Sequence, residues 1–549
     1  MFFSFCLVLM ISGVAGVFGA GEADSGPASA VPEGFFGKYD PPIQMEWIKI
    51  NWSTGRDAVE NKLGPATGEN WEDNRWTRAM RDELGIEVTF KAFIDTEQYA
   101  EKMNLLIASG DLPDVIALEG SNKLVEFTQL AEAGQIADMT DVYAKYGSPL
   151  LKETVEADGQ VIIDAVSYEG RMMALPGPAA GLDSYSYLWL RQDWLDNLGL
   201  QAPKTPEELI EIARAFTHDD PDGNGKDDTF AMMLDKNLWF RLEGFFWSFG
   251  AYPDTWLKDG KGGLKYGAIQ PENKDALRAL QNMHRDGQLD PEWAVKDGPK
   301  ANERFATNSA GISYGGHWIS YDFLAGYQND NSIDWSVYPP PGVGGVMPRG
   351  ELELGMQRIY PVREGYEHPE AVVKAYNLYF EKLYGETGDY EYWGNDEHMD
   401  GIWWLGPFAA FHPLVNIQPY YDIQDVYAGK MQAGDLKGVS LDYYNNTENN
   451  SDPAQGWAWK KMFTDPVTSA FAQITRRMDS GNLFVDNFAG APTPTMVDRW
   501  ATLQELQNTT FTRIIVGDLD VDSGFAEFVD SWLKLGGQDI TEEVSAWYR

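Results

Sequence analysis

The order in which apolar patterns change period along the chain constrains its fold more than any other feature. From about residue 41, two-residue alternation and helical periodicity take turns. IQMEWIKI (43–50) alternates apolar and polar positions, as a strand does. NRWTRAMRDEL (74–84) carries Trp76, Met80 and Leu84 at spacings of four, one face of a helix. IEVTFKAF (86–93) returns to strand. TEQYAEKMNLLIASG (96–110) reads as a helix with Thr96 at its N-cap and Gly110 at its stop, and DLPDVIAL (111–118) as a short buried strand. This order predicts right-handed βαβ units and a largely parallel sheet.

A second series begins near SYLWLRQDWL (186–195). In PKTPEELIEIARAF (203–216), Thr205 stands at the N-cap, Pro206 at the first helical position, and Glu208 completes a capping box. ENKDALRALQNMHRDG (272–287) reads as a helix stopped by Gly287. IDWSVYPPPGVGG (333–345) reads as a strand entering a Pro/Gly loop, and HPEAVVKAYNLYFEKLYG (368–385) as a helix. Two α/β lobes follow, with the Pro/Gly-rich stretches at 175–181 and 339–350 as the crossings between them. A cleft between lobes is a common place for a polar ligand.

Composition then removes whole classes of function. The chain has 43 Lys+Arg against 84 Asp+Glu, a net charge of −41 over 549 residues. Such a field repels phosphate backbones and anionic membrane faces, which argues against nucleic acid as a partner. The one cysteine, Cys6, excludes an internal disulfide framework and Cys-rich metal sites. It lies in MFFSFCLVLMISGVAGVFG (1–19), an apolar, uncharged run closed by small residues, which reads as a signal peptide followed by a polar linker at 20–40. The run has no basic residue at its start, and Cys6 comes too early for a lipid-acceptor position after a signal. The expectation is an exported protein, periplasmic or on the extracellular face of the cytoplasmic membrane, and monomeric.

DDPDGNGKDDT (219–229) has the spacing of the first nine positions of an EF-hand-type loop. Asp220, Asp222, Asn224, Lys226 and Asp228 occupy positions 1, 3, 5, 7 and 9, Lys226 ligating through its carbonyl, and Gly225 supplies the turn at 6. Position 12, where a bidentate Glu is usual, holds Ala231. The spacing predicts a structural Ca²⁺; an acidic turn without metal is the competing reading. Catalytic motifs are absent: none of His218, His284, His317, His368, His398 and His412 falls in a short metal pair, and no G-x-S-x-G, P-loop or GxGxxG occurs.

The chain resembles the family 1 extracellular solute-binding proteins of ABC importers, in particular the large oligosaccharide-binding branch. ASGDLPDV (108–115), YEGRMMALPG (168–177), LWLRQDWLDNLGLQAPKTPEELIEIARAF (188–216), DPDGNGKDD (220–228), NSAGISYGGHW (308–318), HPEAVVKAYNLYF (368–380), WATLQELQNTTFTRIIVGDLD (500–520) and LKLGGQDITEEVSAWY (533–548) carry the resemblance by their order and spacing. It implies a two-lobed, type II-like periplasmic binding fold with hinge crossings, the N-terminal lobe from 41–180 and 338–367 and the C-terminal lobe from 181–337 and 368–549. It further implies capture of a sugar and its delivery to the permease subunits of an ABC importer.

The resemblance also implies which loops face the cleft. These are Trp52 after the first strand, Glu119, Ser121 and Asn122 after the third, Trp239 and Phe240 in the second lobe, Trp318 at the end of GISYGGHW, and Trp403 or Trp404 in GIWWLGPF. Indole faces pack on the C–H faces of sugars, and carboxylates and amides share hydroxyl hydrogen bonds. Trp47, Trp76, Trp189 and Trp194 sit on strand or helix patterns and are assigned to the core. Lys49, Lys123 and Arg241 are the bases near these loops; otherwise the loops offer Trp, Asn, Glu and Ser, which favours a neutral oligosaccharide. A secreted glycoside hydrolase or lyase would share the acidity and the aromatics, and a peptide or lipid-chain receptor would share the architecture.

Overall fold

The computed structural model describes residues 30–51, 56–95, 98–119, 124–157, 161–394, 401–490 and 492–549. The expected signal peptide and most of the linker lie outside them. No helix among the described residues is long and apolar enough to cross a membrane.

The first core is organised by the strand Ile43–Asn51, which pairs in parallel with Ile86–Asp95. Between them, Asn74 caps a helical run from Arg75 to Leu84, accepting hydrogen bonds from the backbone N–H of Trp76 and Thr77. Trp76, Met80 and Leu84 are all fully buried, as their spacing predicts. The run ends at Gly85, whose positive φ turns the chain into the next strand. The helix expected at 96–110 spans Tyr99–Ser109 and stops at Gly110; Thr96 lies outside the described residues. Val115 bridges Trp47 on one side and Val362 on the other. The strand Met356–Tyr360 then runs antiparallel to Leu118–Glu119 and to Leu175–Pro178.

A second sheet runs in the order Trp335–Tyr338, Tyr187–Arg191, Ala310–Gly315, Phe230–Met232. Along Tyr187–Arg191 the side chains alternate sides. Leu188 and Leu190 enter a core shared with the C-terminal helices, Pro494–Ile515, Val521–Trp532 and Gln538–Tyr548. Tyr187 and Trp189 enter another, shared with the helices Ile417–Tyr427, Pro453–Phe463 and Ala470–Asp479. This is the period of a strand covered on both faces. Ile43–Asn51 with Ile86–Asp95 and Ala310–Gly315 with Phe230–Met232 pair in parallel, but the sheets around the crossings are not largely parallel. Tyr187–Arg191 runs antiparallel to both neighbours, and so does Met356–Tyr360, because these strands adjoin the segments that return the chain across the molecule.

Among the described residues the chain passes between the first core and the others three times. Ala180 belongs to the first core and Tyr185 to the third; Val337 leads back to Met356; Val415 leads out to Ile417. The helix Pro369–Tyr384 is buried in the first core with residues 39–180, where the sequence reading had placed 368–549 with the C-terminal lobe. Its apolar residues are spread around its circumference, a pattern that makes a buried helix without telling which core takes it.

A hinge and two unlike charged walls

The three crossings lie side by side and are tied by short polar contacts. Ala179 N–H donates to the Gly355 carbonyl at 2.9 Å, and Glu353 N–H to Ser184 Oγ at 2.8 Å. The Asp183 carboxylate accepts from Asn416 Nδ2 at 2.8 Å at each oxygen, so the first crossing is held to the third. Tyr443 donates its hydroxyl proton to Asn416 Oδ1 at 2.7 Å, orienting that amide. His317 Nδ1 stands 3.7 Å from Asp183. Burial pushes Asp183 above the usual carboxylate range and holds His317 below the usual imidazole range.

Trp318 follows directly. The strand Ala310–Gly315 ends there, and a Cβ on Gly316 would lie 2.2 Å from the Trp318 ring, so glycine is what lets the indole fold back over its own backbone. Trp318 remains 37% exposed and meets the His317 ring edge-on at 5.4 Å. A large exposed indole at a hinge offers an apolar plate to a ligand.

A second aromatic group stands at the carboxyl end of Ile43–Asn51. Trp71, Trp403 and Trp404 surround Lys49 and Asn51. Trp403 and Trp404 come from the short 3-10 turn Ile402–Leu405 and meet edge-on at 5.4 Å. The room left between them is about 10 Å³, the space of one water. Lys49 is buried, donates to the Gly406 carbonyl and lies 5.7 Å above the Trp71 ring. Desolvation, with a lesser push from Arg358, holds its ammonium down to about 7. Arg358, also buried, is opposite Glu119 in strand register. Glu119 N–H donates to Tyr99 Oη at 3.3 Å.

On the other side of the hinge the charge reverses. Glu243 on the helix Trp239–Ser248 lies in the field of Glu351, Glu353 and Asp254. Burial is the largest cause that raises all four carboxyls, and it pushes Glu351 up to about 8. Thr255 donates its hydroxyl to Glu351, and Tyr266 donates to Asp254 at 2.9 Å.

The predicted residues divide accordingly. Trp404 and Glu119 stand on the first wall, and Trp318 at the hinge. Trp52, Ser121 and Asn122 lie outside the described residues, as does Lys123. Trp239 and Phe240 open the helix Trp239–Ser248; their side chains are not among those described. Arg241 is not aimed at a ligand: it is buried, donates to Asn302 at 2.9 Å and pairs with Asp322 at 3.1 Å. Trp47, Trp76, Trp189 and Trp194 are core. The reading of the sequence missed Asp183, Asn416 and Arg358, residues whose meaning depends on which crossings touch. Lys49 was noted only as a nearby base; its place in an alternating strand marked it as polar but not as enclosed.

In the loop 219–229, Gly225 N–H donates to Asp220 and Lys226 N–H to Asn224 Oδ1, at 3.0 and 2.8 Å. Asn224 Nδ2 donates to Asp222 at 2.7 Å and to Asp228 at 3.1 Å, drawing the two carboxylates together. Among the described residues no group of three His, Cys, Asp or Glu is close enough to hold a metal ion.

The sequence profile of the bacterial extracellular solute-binding proteins matches residues 64–381, more than half of the chain, and the chain belongs to that family. The polygalacturonan/rhamnogalacturonan-binding protein YtcQ of Bacillus subtilis (strain 168) is 24% identical over 462 residues, 82% of this chain and 83% of YtcQ. The fructooligosaccharide ABC transporter substrate-binding protein FusA of Streptococcus pneumoniae serotype 4 is 26% identical over 223 residues, 39% of this chain and 41% of FusA. The solved structure of alginate-binding protein AlgQ2 superposes with a TM-score of 0.60 at 15% identity, over 93% of this chain and 98% of AlgQ2. FusA in complex with kestose gives 0.60 at 16% identity, over 92% and 99%. The fold is that of the two-lobed solute-binding proteins.

Proposed function

We propose that this protein is an extracytoplasmic receptor that captures an oligosaccharide between its lobes and delivers it to the permease subunits of an ABC importer. The observation that carries the reading is Trp318, an exposed indole at the hinge, with Trp403 and Trp404 on the wall beyond it. Flat apolar faces suit the C–H faces of sugar rings. The relatives YtcQ, FusA and AlgQ2, described as binding polygalacturonan, fructooligosaccharide and alginate, support the carbohydrate class. For the cleft itself a neutral sugar is favoured, because Glu243, Glu351, Glu353 and Asp254 border the hinge, and among the described residues this wall offers hydroxyl-binding carboxyls and no cation to pair with a uronate. The protein acts as a monomer outside the cytoplasmic membrane.

The loop 219–229 holds Ca²⁺ in this reading. Asp220, Asp222, Asn224 and Asp228 would supply side-chain oxygens and Lys226 its carbonyl, with the Asn224 amide turned so that its oxygen faces the ion. The Asp222 and Asp228 carboxylates already bracket that amide. One relative was solved as AlgQ2 without calcium ion and another as an EF-hand mutant of FusA.

A thermal-shift screen over neutral mono- and oligosaccharides tests the receptor reading. A ligand at ten to a hundred times its Kd stabilises by about 1.4–2.7 kcal/mol. Release of reducing ends from a bound sugar would instead identify a hydrolase or lyase, and no response to any carbohydrate would point to a peptide or lipid-chain receptor.

A further inference from the structure

Beside the hinge, against the strand Leu483–Val485 that pairs with Gly350–Leu352, lies a hollow of about 570 Å³ that shares no residue with the walls described above. Its chemistry is unlike the rest of the molecule. The antiparallel hairpin Trp256–Lys258 and Leu264–Tyr266 turns Trp256 and Tyr266 into the core and Lys265 to the opposite face, on the hollow, while Lys258, at the turn end of the hairpin opposite Leu264, borders the hollow from its edge. Arg349 joins them from the second crossing, and Tyr252 and Phe484 supply the aromatic surface. Glu272 is the one acid among the lining residues.

Three cations in one hollow stand out in a chain with twice as many acids as bases. Many bases elsewhere are matched to carboxylates: Arg75 and Arg78 share Glu69, Lys296 and Arg304 share Asp290, and Lys274 and Arg278 share Asp522. Lys258, Lys265 and Arg349 have no carboxylate within ion-pair distance among the described residues. Lys258 lies 5.9 Å from the Tyr548 ring. Arg349 lies 4.5 Å from the Phe484 ring and donates only to the Leu483 carbonyl, at 3.0 Å. Phe484 in turn meets Tyr252 edge-on at 5.1 Å, and the Tyr252 hydroxyl donates to the Arg349 carbonyl at 3.0 Å. The aromatic pair and the arginine are therefore held in place before any ligand arrives. The volume is that of a small-molecule site, and far more than an inorganic anion needs.

We infer that this hollow is a second binding site, for a carboxylate-bearing saccharide. The carboxylate faces Lys265, Lys258 and Arg349, and the sugar ring lies against Tyr252 and Phe484. The inference rests on the carbohydrate reading of the cleft but concerns a different surface. It gives the protein a means of holding a chain that contains both neutral and acidic sugars.

Calorimetric titration of the full protein with trigalacturonate, with a neutral trisaccharide that binds the cleft, and with acetate separates the possibilities. The expected result is trigalacturonate binding that weakens at least tenfold in the Lys258→Gln/Lys265→Gln variant and with added salt, and returns toward wild type in Lys258→Arg/Lys265→Arg. Neutral-sugar affinity stays unchanged in both. Among the described residues the two lysine side chains donate no hydrogen bond and form no ion pair, so the variants should melt as the parent does without sugar, which a melting curve checks. Trigalacturonate binding that is indifferent to the lysines, or binding of acetate as tight as that of trigalacturonate, overturns the inference. Neutral sugar binding with no trigalacturonate binding overturns it alone, and binding of no sugar of either kind overturns the receptor reading with it.

Discussion

Lys49 and Glu351 are both enclosed charged groups near the crossings, on opposite sides of the hinge, and the protein treats them as mirror images. Around Lys49 the enclosing groups are indoles and a backbone carbonyl, with a second buried base, Arg358, close enough to oppose its charge. Around Glu351 they are a threonine hydroxyl and other carboxyls. Desolvation penalises the charged form in both places, so the lysine is held down to about 7 and the glutamate pushed up to about 8. At neutral pH much of the formal charge at these two points is therefore muted. A wall that discharges its buried groups in this way is suited to a ligand that carries hydroxyls and no charge. The bases lining the hollow at Arg349, which have no carboxylate partner among the described residues, present the contrary case.

The two groups should respond to pH with opposite sign. Between pH 4.5 and 8 the folded chain holds a proton on Glu351 that the unfolded chain has lost, so this group withdraws stability as pH rises. Between pH 7 and 10.5 the unfolded chain holds a proton on Lys49 that the folded chain has lost, so this group returns stability as pH rises. Glu351→Gln should stabilise by up to the order of 3 kcal/mol at pH 8 and not at all at pH 4.5. Lys49→Met should stabilise by a similar order at pH 6, with the gain fading by pH 10. Chemical denaturation across pH reads both, and parallel rather than opposed slopes would break the comparison. Asp183→Asn removes half of the tie between the first and third crossings and leaves its buried partners poorly matched. A loss of about 1–3 kcal/mol is expected, read as a lower melting midpoint. The smallest effect is reserved for the exposed loop at 220–228: saturating Ca²⁺ should raise the melting midpoint by a few degrees, and Asp222→Ala should abolish the response.

Much of the architecture was legible in the sequence because it is written in local periods and caps. Trp76, Met80 and Leu84 share a face and share a core. Thr205 caps the helix Pro206–His218 by accepting from Glu208 N–H at 3.3 Å, although the Glu208 carboxylate turns to Lys204 N–H instead of closing the box on Thr205. What could not be read is whatever depends on which distant segments meet. Nothing near Asp183 indicates that residue 416 will lie against it, and nothing in HPEAVVKAYNLYF says which core the helix will enter. The exposed Trp318 and the buried Trp189 likewise differ in position and not in sequence character. The first lies beyond a strand's end against Gly316, and the second lies within a strand covered on both faces.

The central claim is that the indole at the hinge is a platform for sugar. Intrinsic fluorescence titration of wild type and Trp318→Ala with whichever neutral oligosaccharide gives the largest thermal shift tests it directly. The account predicts a saturable change in wild type, and a variant that melts as wild type does without sugar but binds about thirtyfold more weakly, a loss of roughly 2 kcal/mol. Equal affinity in the two proteins would contradict it.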